Sequence, residues 1–173
     1  MNKLLVFICS YNYSQYIDKC IESILNQTYQ EFEIIIIDDG STDNSVKILK
    51  KHLSNQKIKI IFYDRNKGVE FVHNHMFSLM RKSSLEYVTF LGIDDFWDKN
   101  FFKDSIESLQ YFKNAAFSLS LLKQIDVNEK LLSYPYIPID YKKVQFQKPL
   151  EIEKTITVNG HFFWGNAVVI RKR

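Results

Sequence analysis

Two pairs of adjacent aspartates are the residues of this sequence best suited to chemistry. Asp38 and Asp39 follow one short apolar run, and Asp94 and Asp95 follow another. Adjacent carboxylates repel each other, so they lower the stability of the fold unless a cation or hydrogen-bond donors lie beside them. Their hard oxygen atoms suit Mg²⁺ or Mn²⁺, particularly when the phosphates of a substrate complete the coordination shell. The pairs therefore predict a metal-assisted site for a phosphate-bearing ligand.

A third polar cluster, Ser10-Tyr11-Asn12, follows the apolar run at 3–9. Tyr11 offers a flat face for stacking, and a carboxylate can accept a hydrogen bond from a base N–H or a ribose hydroxyl. A nucleotide diphosphate bridged by a metal would satisfy all three clusters.

Each cluster also has a purely structural interpretation. The pair at 38–39 could form a turn and helix cap, with Ser41 or Thr42 at the start of the next helix. The pair at 94–95 could cap the helix that follows it, and Tyr11 could simply pack. The residues alone leave both interpretations open.

Short apolar runs and helical spacings alternate along the first 91 residues, which predicts βαβ units. The runs, at 3–9, 32–37, 58–63 and 86–91, suit strands of a parallel sheet covered on both faces. Between them, apolar residues recur at helical spacing at 17–25, 46–53 and 69–80. The fold class is therefore α/β, a doubly wound and mostly parallel sheet.

The three polar clusters follow the first, second and fourth predicted strands. Ligands of open α/β sheets bind outside the carboxyl ends of the strands. We therefore expect the clusters to converge on one site.

The second half is less regular. Residues 101–112 predict an amphipathic helix, 115–122 and 165–171 predict strands, and 123–149, with all three prolines, predicts a hairpin and a long irregular connection. We expect a single domain over residues 1–173, with a ligand-binding half at 1–98 and a second half at 99–173.

Composition excludes several classes of protein. The chain has 173 residues and a net charge of +3, with 46% apolar residues, so it is neither disordered nor fibrous. Its basic residues are scattered, so nucleic acid is not expected as a partner.

No apolar run is long enough to span a bilayer, and two cysteines make no disulfide framework, so cytoplasm is the expected location. The basic ending at 171–173 could touch an anionic membrane surface, although a solvated chain end is the favoured interpretation.

Residues 10–45, SYNYSQYIDKCIESILNQTYQEFEIIIIDDGSTDNS, closely resemble the opening of the family 2 glycosyltransferases, which have a GT-A fold. The shared pattern is a Tyr-Asn after the first strand, a helix ending in Ser-Ile-Leu-x-Gln-Thr, and a strand leading into Asp-Asp-x-Ser-x-Asp. The resemblance continues through Asn66-Lys67-Gly68, Asn74 and residues 90–102, and it thins after about residue 115.

The resemblance implies transfer of a sugar, with inversion, from a nucleotide-diphosphate sugar to a hydroxyl of a saccharide or lipid-linked saccharide. Asp39 would hold the base, which by family habit is uracil, with GDP and dTDP left open as alternatives. Asp94 would lie against the ribose and diphosphate, and Asp95 would bind Mn²⁺ or Mg²⁺. The implied donor site comprises Ser10, Tyr11, Asn12, Asp39, Gly68, His73 and Asp94, and the implied metal site Asp94 and Asp95. Bacterial surface polysaccharide synthesis, with peripheral contact to the inner membrane face, is the implied setting.

The chain departs from the family pattern in three places. Gly92 stands where many members carry an acidic residue, and His73 stands where an arginine is common. No residue matches the family's general base, which we expect beyond Arg173, in a longer protein. By the resemblance, residues 1–98 would bind the nucleotide sugar and 99–173 would be the start of an acceptor-binding half that is truncated here. Asp126, Asp140, Glu151 and Glu153 are the acidic residues of the second half to be considered for it otherwise.

The histidines are not expected to form a metal site, and three other functions are alternatives to glycosyl transfer. His73 and His75 lie two apart, on different helix faces, and make a poor metal pair; His161 sits in an aromatic stretch. A donor-binding fragment without turnover and a receiver-like phosphoacceptor domain, with Asp64 as acceptor, are the alternative functions. A sugar nucleotidyltransferase would need a Gly-rich first loop, which is missing.

Overall fold

A computed structural model of the chain describes residues 4–134, 146, 148, 151 and 165–172. The strands are β1 Leu4–Ser10, β2 Phe32–Asp38, β3 Ile58–Phe62, β4 Tyr87–Gly92, β5 Phe117–Leu119, β6 Gln124–Ile125, β7 Leu131–Ser133 and β8 Val168–Arg171. The helices are α1 Ile17–Leu25, α2 Ser45–Leu49, α3 Val69–Lys82 and α4 Phe101–Tyr111, with 3₁₀ turns at Lys50–His52 and Gly165–Ala167.

The main sheet has six strands in the order β3-β2-β1-β4-β8-β5. β1 to β4 are mutually parallel where they pair, whereas β8 runs antiparallel to both β4 and β5. β6 and β7 form a separate hairpin, as predicted for the irregular stretch. The prediction of a mostly parallel α/β sheet is confirmed.

The sheet separates two apolar layers. Leu4, Val6 and Ile8 of β1 pack in the larger layer, under α1 and α4, while Leu5 and Phe7 pack in the smaller one, under α3. This alternation follows from the two-residue period of a strand. Each such side chain, fully buried, contributes about 1.5–3 kcal/mol relative to exposure. A shift of β1 by one residue would exchange its two faces, so burial fixes where the strand ends.

Two predicted apolar stripes are shorter than expected. α2 ends at Leu49 and continues as a 3₁₀ turn, whose tighter winding rotates Leu53 away from the core and leaves it 50% exposed. Val69, the first residue of α3, is 65% exposed because the helix has only begun to pack there. The last predicted strand begins three residues late, after the 3₁₀ turn.

Two residues of the basic ending, Arg171 and Lys172, are anchored to neighbouring elements. The Arg171 guanidinium donates to the carbonyl of Leu109, in the last turn of α4, and to the carbonyls of Lys113 and Ala115 just after the helix. Its side chain is only 14% exposed. Lys172 donates from Nζ to the carbonyl of Ser83. The expectation of a solvated chain end is therefore wrong for these two residues.

Among the described residues, no helix is long and apolar enough to cross a bilayer.

Candidate functional site

The three polar clusters meet at one edge of the sheet. β2, β1 and β4 are neighbours, with Ser10 opposite Asp38 and Cys9 opposite Gly92. Beyond the strands, the carbonyl of Ser10 accepts the N–H of Asp39 (2.9 Å), and the carbonyl of Cys9 accepts the N–H of Ile93 (3.2 Å). The predicted convergence at the carboxyl ends is thereby observed.

Asp38 is a structural residue. It is fully buried, and its carboxylate accepts the N–H (3.0 Å) and the hydroxyl (2.6 Å) of Ser41. The turn interpretation is correct for this member of the pair.

Asp43 fixes the start of α2. Its carboxylate accepts the N–H of Ser45 (2.8 Å) and of Ser14 (3.0 Å). Asp43 is exposed, so the desolvation that raises its pKa is outweighed by the hydrogen bonds from Ser45 and Ser14, which lower the pKa to about 2. The charged carboxylate is therefore part of the loop structure.

Asn12 joins the first loop to the second. It has a left-handed backbone (φ 56°), its Oδ1 accepts the N–H of Thr42 (2.7 Å), and its own N–H donates to the Ser41 hydroxyl (3.0 Å). The side-chain oxygen of Asn12 is thus occupied by the backbone of the second loop. The predicted contact of Asn12 with the donor would therefore use its amide nitrogen. Neighbouring Tyr11 is 40% exposed, which leaves ring surface for stacking.

Ser10 contributes a hydroxyl to the same edge of the sheet. It is buried, and Oγ has no hydrogen-bond partner among the described residues. A buried hydroxyl without a partner is a cost that a bound ligand can relieve.

Asp39 organises a third loop. Its two carboxylate oxygens accept the N–H of Lys67 (2.8 Å) and of Gly68 (2.9 Å), and the residue is 5% exposed. Each oxygen keeps a further lone pair for a ligand donor. Gly40 next to it has φ 70°, and a Cβ there would lie 2.3 Å from the backbone of Arg65. The loop and the aspartate therefore hold each other in place.

An aromatic cluster that the sequence analysis missed supports this loop. The Tyr63 hydroxyl lies 2.5 Å from Nδ1 of His75, and the Lys67 ammonium lies 4.7 Å from the Tyr63 ring centroid and 5.3 Å from that of Phe71. Burial, and then the charge of Asp39, raises the pKa of Tyr63. The position of Tyr63 directly after β3 was the only signal in the sequence.

His75, rather than His73, makes this contact. His73 is exposed on α3, which begins after Gly68 (φ 88°). The proposed roles of His73 and Gly68 toward a donor remain predictions.

Asp94 and Asp95 both turn back over Gly92. A Cβ on Gly92 would lie 2.7 Å from Oδ1 of Asp94 and 3.6 Å from Oδ2 of Asp95, so the missing side chain leaves room for both carboxylates. Burial, and then the charge of Asp94, raises the pKa of Asp95, while a hydrogen bond from Asn166 opposes the rise. With glycine at position 92, the Asp94 carboxylate lies where a larger residue would make it move.

This pair fits a divalent cation. Two convergent carboxylates supply hard oxygen ligands, and a cation between them would offset their mutual repulsion. Among the described residues no third His, Cys, Asp or Glu completes a cluster, so the remaining ligands would be substrate phosphates or water.

Two further residues of the site lie far apart in the sequence. The Asn166 amide donates to Oδ2 of Asp95, 71 residues away, and the Trp97 indole N–H donates to the carbonyl of Asn166. No local pattern marks Asn166, because its partners come from another part of the chain.

The acidic residues considered as general base divide into two groups. Asp126 accepts the N–H groups of Asn128 and Lys130 in the hairpin turn, and Glu151 accepts the N–H of Lys148. Both carboxylates therefore have structural partners. Asp140 and Glu153, like His161, lie outside the described residues.

Comparisons with known proteins agree with the geometry. A family model described as "Glycosyl transferase family 2" matches residues 5–173. The chondroitin synthase of Escherichia coli is 32% identical over 131 residues, which is 76% of this chain and 19% of that protein.

Two solved structures show the same fold. S. aureus TarS 1-349 in complex with UDP superposes with a TM-score of 0.75 at 21% identity, covering 98% of this chain and 46% of that one. A mannosyltransferase from Pyrobaculum calidifontis, in complex with GDP-Man and Mn²⁺, has a TM-score of 0.57 at 16% identity, covering 70% and 35%. The chain spans less than half the length of each of these three proteins.

Proposed function

The chain belongs to glycosyl transferase family 2, and on that premise we propose that it transfers a sugar from a nucleotide-diphosphate sugar to an acceptor hydroxyl, with inversion. The observation that carries the proposal is the convergence of Asp39, Ser10 and the pair Asp94–Asp95 at the ends of β2, β1 and β4, which are neighbours in the sheet. The family match also makes a receiver-like phosphoacceptor domain untenable as an alternative.

Asp39 is proposed to accept the base N–H of the donor. Its carboxylate is already held by the N–H groups of Lys67 and Gly68, so binding costs little further ordering. Tyr11 supplies the exposed ring for stacking. Ser10 and Asn12 line the same edge of the sheet.

Asp94 and Asp95 are proposed to hold Mn²⁺ or Mg²⁺ against the donor diphosphate. The cation supplies Lewis-acid stabilisation of the negative charge that develops on the leaving diphosphate. Asp94 is exposed and Asp95 half-buried, so Asp94 is the better placed of the two to reach the ribose as well.

UDP is the proposed nucleotide of the donor, because TarS, which shares the fold, is solved in complex with UDP. The mannosyltransferase with GDP-Man shows that the fold also accepts another base, so base preference needs a direct test. A saccharide or lipid-linked saccharide of a bacterial surface polymer is the proposed acceptor, with transfer at the cytoplasmic face of the membrane. The related chondroitin synthase supports a polysaccharide product.

Calorimetric titration with UDP, GDP and dTDP, each with and without Mn²⁺, tests the proposal. We expect UDP to bind most tightly and Mn²⁺ to strengthen its binding. Asp95→Ala should abolish the Mn²⁺-dependent part and leave uridine binding unchanged, while Asp104→Ala, an exposed acid on α4, is the matched control. Transfer and donor-hydrolysis assays with UDP-sugars then test turnover.

Two results would overturn the proposal. If none of the three nucleotides binds, the site does not recognise a nucleotide diphosphate. If Asp95→Ala leaves the Mn²⁺ effect intact in a folded protein, the metal is held elsewhere.

A further inference from the structure

Asn166 reaches the proposed metal site from the far end of the described chain. It lies in the 3₁₀ turn Gly165–Ala167, directly before β8. Its side-chain amide donates to Oδ2 of Asp95. The orientation is set by charge, because the amide oxygen would repel a carboxylate and only the amide nitrogen can donate to it.

The backbone around Asn166 is fixed by bonds to other elements. The Trp97 indole donates to the carbonyl of Asn166, the N–H of Ser120 to the carbonyl of Ala167 (2.8 Å), and the Thr89 hydroxyl to the carbonyl of Val168 (2.7 Å). Three successive carbonyls thus accept bonds from three different parts of the chain. The side chain of Asn166 is therefore presented from a rigid frame.

We infer that Asn166 is a positioning residue for Asp95, which it holds in the orientation that binds the divalent cation. The inference deepens the proposed function and rests on it, because it takes Asp95 as a metal ligand. The amide occupies a lone pair of Oδ2, fixes the carboxylate rotamer and leaves Oδ1 available to the cation. Residues that orient metal ligands in this way contribute substantially to metal affinity.

The charge balance of the site supports this role. Carboxylate oxygens of Asp94 and Asp95 both lie close to the position that a Cβ on Gly92 would take, so their mutual repulsion drives the carboxylates apart when no cation is bound. A neutral amide donor opposes that movement without competing for the site as a second cation would. Lysine in its place would neutralise the charge that the metal needs.

Mn²⁺ titration, followed through the electron paramagnetic resonance signal of free Mn²⁺ in the presence of UDP, tests the inference. We expect Asn166→Ala to weaken Mn²⁺ binding about tenfold, the lower end of the range for such residues. Asn166→Leu keeps the branched shape but has no donor, so it should lose as much. Asn114→Ala, an exposed asparagine beyond α4, should bind Mn²⁺ normally.

Uridine affinity and the thermal midpoint separate positioning from folding. Positioning predicts weaker Mn²⁺ binding with uridine affinity unchanged, whereas a merely structural role lowers the midpoint and leaves Mn²⁺ affinity as in the original chain. That second pattern, or normal Mn²⁺ binding by Asn166→Leu, overturns the inference. Asp95→Ala distinguishes the two levels: if it too binds Mn²⁺ normally, the proposed metal site itself fails.

Discussion

Adjacent aspartates of this site have different roles. Both carboxylate oxygens of Asp38 accept hydrogen bonds from Ser41 in the turn that follows. Asp39 instead binds the backbone of the loop at 67–68, and each of its oxygens keeps a lone pair for a ligand. One carboxylate of the pair is therefore structural and the other remains available for recognition.

Asp39→Asn should weaken UDP binding by roughly tenfold to a hundredfold, since a hydrogen bond to a charged group contributes about 1.5–3 kcal/mol. It should also lower stability, because the new amide NH₂ faces the N–H of Lys67 or Gly68. Calorimetry and thermal unfolding measure the two effects.

Asp64→Asn is the matched control for Asp39→Asn. Asp64 lies just before the same loop, its side chain is 78% exposed, and its contact is with the Lys67 ammonium at 3.5 Å. Normal UDP affinity in Asp39→Asn, with Asp64→Asn also normal, would leave Asp39 as a loop residue only.

Asp43 predicts a specific acid sensitivity. Because its pKa falls from 3.8 to about 2 on folding, the charged form stabilises the fold above pH 3.8, and that stabilisation is lost as the pH falls toward 2. Asp43→Asn keeps an acceptor for Ser45 but cannot titrate. Its free energy of unfolding, measured in urea at a series of pH values, should therefore fall less steeply in that interval than in the original chain. An identical slope would contradict the assignment, and Asp104→Asn serves as the control.

The first four strands could be predicted from the sequence, whereas the strand order in the second half could not. β1 to β4 were predictable because strands buried on both faces are short, continuous apolar runs, such as the isoleucines of β2. The location of β8 was also predictable, but its place between β4 and β5 was not, because pairing partners far along the chain leave no local pattern. Asn166 and the Tyr63–His75 pair were missed for the same reason.

Arg171 makes the attachment of β8 testable. Arg171→Met should lower the free energy of unfolding by about 1.5–3 kcal/mol, because it leaves the carbonyls of Leu109, Lys113 and Ala115 without their charged donor. For a domain of this size that is a drop of about 3–12 °C in the thermal midpoint. Arg81→Met, at an exposed arginine of α3, should change it by less than ~0.5 kcal/mol. Equal midpoints for the two variants would contradict the anchoring role.

The whole molecule should respond to the proposed ligand as one unit, because the site draws on the ends of β1, β2 and β4 and on the turn before β8. UDP with Mn²⁺ at a hundred times its dissociation constant should stabilise the fold by ~2.7 kcal/mol. That corresponds to a rise of about 5–11 °C in the midpoint measured by scanning calorimetry. Uridine without metal should give a smaller rise, and no rise with either would contradict a single folded site.

The position of β8 also has a consequence for synthesis of the protein. Thr89 of β4 pairs with Val169 of β8, which the ribosome adds about 80 residues later. At a translation rate of 5–20 residues per second, the backbone edge of β4 stays uncovered for about 4–16 s after that strand is made. An open edge of this kind is a template for pairing with another nascent chain. Slower translation lengthens that exposure, so the yield of folded protein should depend on chaperones and expression temperature more than its final stability suggests.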